Sequence, residues 1–574
     1  MALCLVDDVH GGFGYKNNFH VPESVDTVVV GNGPSALILS YLLHGHVPYY
    51  DAISHGPHPD PILHAKLSKL LESLYSALAS PSAIDSLTEH FQGSRLSYST
   101  QALPVNTLLD TLLRPNADTA CGEVHSRIRW SHEPDKAVSH AVFGCTRRPG
   151  GQWSERSVLS SSSDFEALSY AEMLSLPGYT FADMYREKHA KPLPEFTRPS
   201  QSDISDYLAT YPARAGIEDS VYSSVHVDHV ERSASGEGFI VDISRTVQDN
   251  KNNRGHVKGS TTYHSRVRCR HLVLASGIFS HVIPSPQLLH PLTTLPKPPP
   301  PTNSHPLLVI GSGFSAADII TSMLPCRKIL HLFRWSPETH PSPLRSCHRQ
   351  VYPEYAAIYR RMKLASSRYA VAASNKGGRG WKIGAAVSPM LIRRCSSNFV
   401  DRDRDSMYEG LPNAEIVEVN ADGGAVGGME VTIQLPNGNG VIHRRVSGLE
   451  YLVGRRGSLN YFSDSLKNAI LSESPVNNGP ATSLISAKTL RPKAARNLEV
   501  APSVFVIGSL SGDSLIRFAF GGCVYAAGKI IRDATLPPSV EAMLDLRKSA
   551  KKPVLNGRVG ETADRDVLVR VKTS

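Results

Sequence analysis

Nowhere in its 574 residues does this chain have an apolar run of the roughly 18 residues that a membrane-spanning helix needs. No membrane span is expected. The first residues, MALCLVDDVH, lack the basic region leading into a long apolar stretch that marks a secretory signal. The eight cysteines (Cys4, Cys121, Cys145, Cys269, Cys326, Cys347, Cys395, Cys523) are scattered, and no two are separated by only two residues. That spacing argues against a structural zinc site, a thioredoxin-like redox pair and a disulfide framework. A cytoplasmic protein with reduced thiols is the expectation. The 24 histidines show no metal-ligand spacing. Zinc-finger, RRM and helix-turn-helix patterns are absent too, and the net charge of +9 is diffuse. A basic surface with pockets for polyanionic dinucleotides accounts for that charge, and nucleic acid is not an expected partner.

What is present is one design written twice. DTVVVGNGPSALILSYLL begins at Asp26, and PLLVIGSGFSAADIITSML begins at Pro306. Each joins a short apolar run to a Gly-rich turn and then to apolar residues at helical spacing, the opening of a dinucleotide-binding βαβ unit. In the first, Gly31, Gly33 and Ala36 form GxGxxA, with Pro34 and Ser35 between. The first glycine permits the turn, the second lets backbone approach a pyrophosphate, and the small third residue lets helix and strand pack. The helix start then offers free N–H groups and its dipole to phosphate. Gly311, Gly313, Ser315 and Ala316 repeat the arrangement. The strand KILHLFRW that follows reaches Arg334, where such folds face the adenosine ribose; an Arg there accommodates a 2′-phosphate, unless it is an ordinary surface arginine.

Two such units serve enzymes that pass electrons from a nicotinamide cofactor to a flavin. The fold class expected is therefore α/β with two Rossmann-like dinucleotide-binding domains, an FAD domain interrupted by an NADPH domain. The expected boundaries are 1–300 for the first part of the FAD domain, with a helical insertion at about 58–118, and 301–455 for the NADPH domain. The FAD domain returns over 456–535, and a basic tail follows over 536–574. LVLASGIFS (272–280) and YLVGRRGS (451–458) read as the two crossings between domains. The proline run 298–301 reads as a spacer and QDNKNNRGHVKG (248–259) as a loop between strands. Residues 345–410, with the charge run DRDRD at 401–405, read as polar, irregular and solvated. In the segment from Ser503 to Ile530, Gly508 opens a turn, and Asp513 is placed either to hydrogen-bond a flavin ribityl hydroxyl or merely to shape the turn.

With these motifs in view, the sequence resembles the flavin-containing (class B-like) monooxygenases, and within that superfamily the oxidative stress-induced growth inhibitor family. The resemblance rests on GNGPS at 31–35, PILHAKL at 61–67, LLRP at 112–115, PGGQW at 149–153, SLPG at 175–178 and VGRRGSL at 453–459. It implies FAD and NADPH as cofactors, a small organic substrate and O₂ as partners, and oxygenation through a C4a-(hydro)peroxyflavin. It also implies that Gly150, Gly151 and Trp153 lie beside the flavin; otherwise Trp153 is a core residue after a turn. The chain departs from the superfamily pattern in two places. The acid that normally binds the FAD ribose at the end of the second strand is replaced, after HAVFG, by Gly144 and Cys145, with Arg147 and Arg148 next. Asp51, 20 residues after Gly31, is a candidate substitute. The Phe-x-Gly-x-x-x-His fingerprint is missing between Ser276 and Gly311, where His290 is the sole remnant.

The leading functional expectation is an FAD-dependent, NADPH-using monooxygenase; no catalytic side chain is singled out. The alternatives are an NADPH oxidase or dehydrogenase without oxygen insertion, and a regulatory protein of growth or stress control on a flavoprotein scaffold. A flavin disulfide reductase would need a cysteine pair near the first Gly-rich motif, and there is none.

Overall fold

A computed structural model describes residues 21–70, 72–94, 96, 98, 99, 101–115, 117, 125–154, 167, 169–248, 260–295, 305–324, 326–374, 407–420, 428–436, 440–472 and 484–535. The proline run, the charge run 401–405, the tail 536–574 and all but Gln248 of the loop 248–259 lie outside them. The chain divides into Met1–Ile531, which holds everything below, and Arg532–Ser574, of which only the end of one helix is described.

The elements that build the site begin with β1 (Thr27–Val30), α1 (Pro34–Leu43), α2 (Pro104–Leu113), β2 (His140–Gly144) and β3 (Val221–Ser223). After β4 (His271–Leu274) and β5 (His281–Val282) come β6 (Leu307–Ile310), α3 (Phe314–Met323), β7 (Ile329–Phe333), α4 (Pro353–Ser374) and β8 (Tyr408–Pro412). Last are β9 (Leu449–Tyr451), β10 (Arg455–Ser458), β11 (Glu499–Ala501), β12 (Val504–Val506) and α5 (Phe520–Thr535).

Two parallel sheets result. In the first the order is β11-β12-β4-β1-β2-β3, parallel throughout except for the β11–β12 pair. Val28 sits in register between Ala141 and Leu272, and all three are 0% exposed. Both faces of these strands are buried, which is why they read as unbroken apolar runs and not as alternating ones. In the second sheet the order is β8-β7-β6-β9, all parallel. Its strands fall between β4 and β11 in sequence, so the chain leaves the first sheet, builds the second and returns. Alternate residues serve opposite faces. Leu307 and Val309 join a core with α3 and α4, while Leu308 joins one with the antiparallel strands 415–446.

The two crossings are bound to each other. β5 pairs antiparallel with β10, with His281 opposite Arg456. Arg455 Nη1 donates to the Phe279 carbonyl at 3.1 Å, and Ser280 Oγ to the Arg456 carbonyl at 3.3 Å. Gly457 lies so close to the Gly277 carbonyl that a Cβ there would sit 2.5 Å from it.

The described residues between 58 and 113 are mainly in short helices, ending in α2. The expectation for 345–410 is corrected, because Pro353–Ser374 is a 22-residue helix. Tyr355, Ile358, Met362 and Ala365 form its buried stripe, at spacings of three and four residues that face one side of a helix. The Arg and Lys residues between them hid that stripe.

Candidate functional site

The two Gly-rich turns are built alike, atom for atom. The Gly31 N–H donates to the Phe143 carbonyl at 2.7 Å, and the Ala275 N–H donates to the Val30 carbonyl at 2.9 Å. In the second turn the Gly311 N–H donates to the Leu332 carbonyl at 3.0 Å, and the Leu452 N–H to the Ile310 carbonyl at 2.7 Å. The first glycine of each has positive φ, +114° at Gly31 and +151° at Gly311. A Cβ at either would overlap the carbonyl of the crossing chain, Ala275 or Leu452. Only glycine fits there.

The second glycines are different. Around Gly33 a Cβ would meet nothing nearer than the Gly151 Cα at 3.9 Å, and around Gly313 nothing nearer than the Pro343 Cγ at 3.9 Å. Both face open space. Each is the N-cap of a ten-residue helix, α1 or α3, and no side chain caps either helix. Ala36 and Ala316, 0% and 1% exposed, sit behind the turns and let helix and strand close up. What remains in front is a row of backbone N–H groups at the positive end of a helix dipole, a fit for phosphate.

Both turns open onto one cavity of about 2120 Å³. Gly31, Gly33, Pro34 and Ser35 line it from the first unit, and Gly311, Gly313 and Ser315 from the second. Gly151 and Trp153, in a short turn after β2, line it as well, as does Gly508. Gly508 has φ +64°, and its backbone rests on the Ser35 side chain, which a Cβ would displace. Arg334 lies exposed at the end of β7, lines the same cavity, and has no hydrogen-bond partner among the described residues.

Two expectations, for Gly150 and Asp51, are corrected. Gly150 does not line the cavity: its N–H donates to the Asn32 carbonyl at 2.8 Å, and a Cβ there would press on Leu208. Asp513 does line the cavity, and its carboxylate anchors its loop to the start of α2 and to Arg491. Its Oδ2 accepts from the Leu103 N–H at 2.9 Å and from Asn106 Nδ2 at 2.7 Å, while Oδ1 pairs with Arg491. Asp51 closes a local turn, accepting from the Ile53 and Ser54 N–H groups at 2.9 and 3.0 Å, away from the cavity. The end of β2, where the ribose acid is missing, presents Cys145 and Thr146. His290, itself exposed, starts a short helix outside the cavity.

Sequence reasoning missed the groups that brace the turns. Asn32, the variable residue inside GxG, is 2% exposed; its Oδ1 accepts from Thr146 Oγ1 at 2.8 Å and its Nδ2 donates to Ser223 Oγ at 3.2 Å. It thereby ties the first turn to the loop after β2. His331 on β7 does the same for the second turn. Its Nε2 faces the Gly311 carbonyl at 2.6 Å and must carry the proton, so Nδ1 accepts from the Tyr408 hydroxyl at 2.7 Å. Burial holds this ring neutral and lowers its pKa to about 4. Asp318, one helical turn into α3, lines the cavity and accepts from the Tyr355 hydroxyl at 2.9 Å. Burial raises its pKa to about 6, against the opposing effect of that hydrogen bond. Asp110 on α2 is buried with two guanidiniums, those of Arg517 and Arg114. Arg517 Nε lies 3.1 Å from both carboxylate oxygens. Of these, only the Asp in GSGFSAAD had a local signal, its place one turn into a nucleotide-binding helix.

Among the described residues no helix is long and apolar enough to cross a membrane, and no three His, Cys, Asp or Glu side chains are grouped to hold a metal.

No family model matches the chain. A flavin-containing monooxygenase from Stenotrophomonas maltophilia aligns over 90% of this chain and 99% of its own, at 14% identity and a TM-score of 0.41. Among curated sequences, human oxidative stress-induced growth inhibitor 2 is 24% identical over 534 residues, 87% of this chain and 91% of its own. Mouse oxidative stress-induced growth inhibitor 1 is 27% identical over 544 residues, 90% of this chain and 97% of its own. Along nearly its whole length, then, this chain is similar to the oxidative stress-induced growth inhibitors, as its own motifs indicate.

Proposed function

We propose that the chain is an FAD-dependent, NADPH-using monooxygenase of a small organic substrate. The observation that carries this reading is that two glycine turns of the same construction, one from each parallel sheet, open onto a single cavity. When bound, FAD would supply hydride acceptance from NADPH and activation of O₂. The chain's own residues do the holding. The N–H groups after Gly33 take the FAD pyrophosphate, and those after Gly313 take the pyrophosphate of NADPH. Arg334 offers a fork of donors for a 2′-phosphate. Trp153 and the turn at Gly151 wall the flavin side, and Gly508 lets the loop after β12 close on α1.

The test is an absorbance spectrum of the purified protein, followed by anaerobic NADPH and then oxygen. Bands near roughly 370 and 450 nm that bleach with NADPH are expected of a reducible flavin. A transient near about 380 nm when oxygen is admitted marks oxygen transfer, whereas direct reoxidation with peroxide release marks an oxidase. A colourless protein that takes up no added FAD overturns the proposal.

A further inference from the structure

A second, smaller cavity, of about 350 Å³, adjoins the first where Tyr98, Ser99 and the loop after β12 meet the segment leading into α4. Leu515 lines both cavities. Basic groups line the small one from two directions: Arg345, His348 and Arg349 from the segment before α4, and Arg517 from the loop after β12. None of the described residues lining it is acidic. Arg349 has no hydrogen-bond or ion-pair partner among the described residues, and Arg345 Nη1 donates to the uncharged Pro337 carbonyl at 3.0 Å. Arg517, 3% exposed, is held in place by Asp110 and lies over the Phe518 ring at 5.0 Å. The remaining walls include the aromatic faces of Tyr98 and Tyr352.

We infer that this side cavity binds the carboxylate end of an aromatic or aliphatic acid, the substrate class of the proposed oxygenase. The inference rests on the flavin reading only for what the other end of the ligand meets. Exposed guanidiniums at a cavity with no acidic residue in its described lining favour an anion. The volume suits a small organic molecule, near the lower end of ordinary ligand pockets. A molecule anchored there extends past Leu515 into the large cavity, which Trp153 and Gly151 also line. Its uncharged end is then the end that reacts.

The probes are 3-phenylpropionate and 3-phenylpropan-1-ol, alike except for the carboxylate, titrated by calorimetry into the full chain. The acid should bind roughly tenfold more tightly than the alcohol. Replacing both Arg345→Gln and Arg349→Gln should abolish that preference with the melting temperature and flavin content unchanged, while Arg349→Lys keeps most of it. Equal binding of acid and alcohol overturns the inference, as does a preference that survives the double substitution. It is overturned too if the double variant instead loses its discrimination between NADPH and NADH, since the arginines would then serve the cofactor phosphate. Flavin content separates the two proposals. A colourless protein that still prefers the acid sinks the flavin reading and keeps the subsite, and a yellow protein without preference does the reverse.

Discussion

Replacing Gly33 with valine should leave the fold intact and empty it of flavin. Gly33 has φ −78° and ψ 179°, extended backbone that a β-branched residue adopts freely. Its Cβ would meet nothing closer than 3.9 Å, so the change to the apoprotein stays within about 0.5 kcal/mol. The added methyl groups, however, occupy the space in front of the α1 N-terminus. A pyrophosphate excluded from there loses about two charge-assisted hydrogen bonds, each worth about 1.5–3 kcal/mol. FAD affinity should fall by roughly a hundredfold to ten-thousandfold, since about 1.4 kcal/mol is a factor of ten. Gly31→Ala is the contrasting variant. Its Cβ would strike the Ala275 carbonyl at a φ of +114°, so it should lower stability by several kcal/mol whether or not flavin is present. The assay is the ratio of flavin to protein absorbance, together with the melting temperature of apoprotein stripped of flavin. A Gly33→Val protein that purifies with full flavin refutes the placement of the pyrophosphate. An apoprotein melting as low as Gly31→Ala refutes the claim that the two glycines do different work.

Arg334→Ala should weaken NADPH by roughly tenfold and NADH hardly at all, read from anaerobic reduction at varied cofactor concentration; equal effects would remove Arg334 from the 2′-phosphate. Asp318 and His331 should shift stability with pH in opposite directions. The Asp318 carboxyl, raised from 3.8 to about 6, binds protons more strongly folded than unfolded, so its effect is a loss of stability as pH rises from about 4 to about 6. Asp318→Asn should therefore gain on the wild type across that window, by on the order of 2–3 kcal/mol above it, and constant spacing of the two melting curves would contradict the burial argument. His331, lowered from 6.5 to about 4, is neutral when folded and gains a proton on unfolding, so its share of stability is whole above pH 6.5 and declines toward pH 4. His331→Gln should flatten that acid limb. Asp110→Asn leaves two buried guanidiniums without their carboxylate and should cost about 3–5 kcal/mol in a denaturant melt; a loss under 1 kcal/mol would mean the charge is compensated elsewhere.

The parallel strands and glycine turns were legible in the sequence because their requirements are local. A buried parallel strand must be apolar throughout, and a turn under a crossing carbonyl must be glycine. Gly31 and Gly311 could therefore be assigned from their own neighbourhoods. The acids could not. Asp51 and Asp513 stand at plausible distances from the motifs, but a carboxylate's role depends on which donors reach it first. For Asp513 those donors come from Leu103, Asn106 and Arg491, far away in the chain. Asn32, His331 and Asp110 were silent for the same reason: each acts on a partner more than 15 residues distant. The helix α4 was lost for another reason, since four buried residues among many charged ones give a weak periodic signal.

The pairing of β5 with β10 bears on how the protein was assembled. The ingoing and outgoing strands lie side by side, with Cα atoms about 5 Å apart as antiparallel pairing requires. The buried core of the first unit takes residues up to Ile278 and again from Leu459, and none in between. Thermodynamically, the whole second sheet is to the first a single closed loop, and the entropy of closing a loop grows only with the logarithm of its length. A chain in which a two-residue hairpin turn joins Val282 directly to Arg455 should thus keep the first sheet folded and keep its flavin, having lost the means of reducing it.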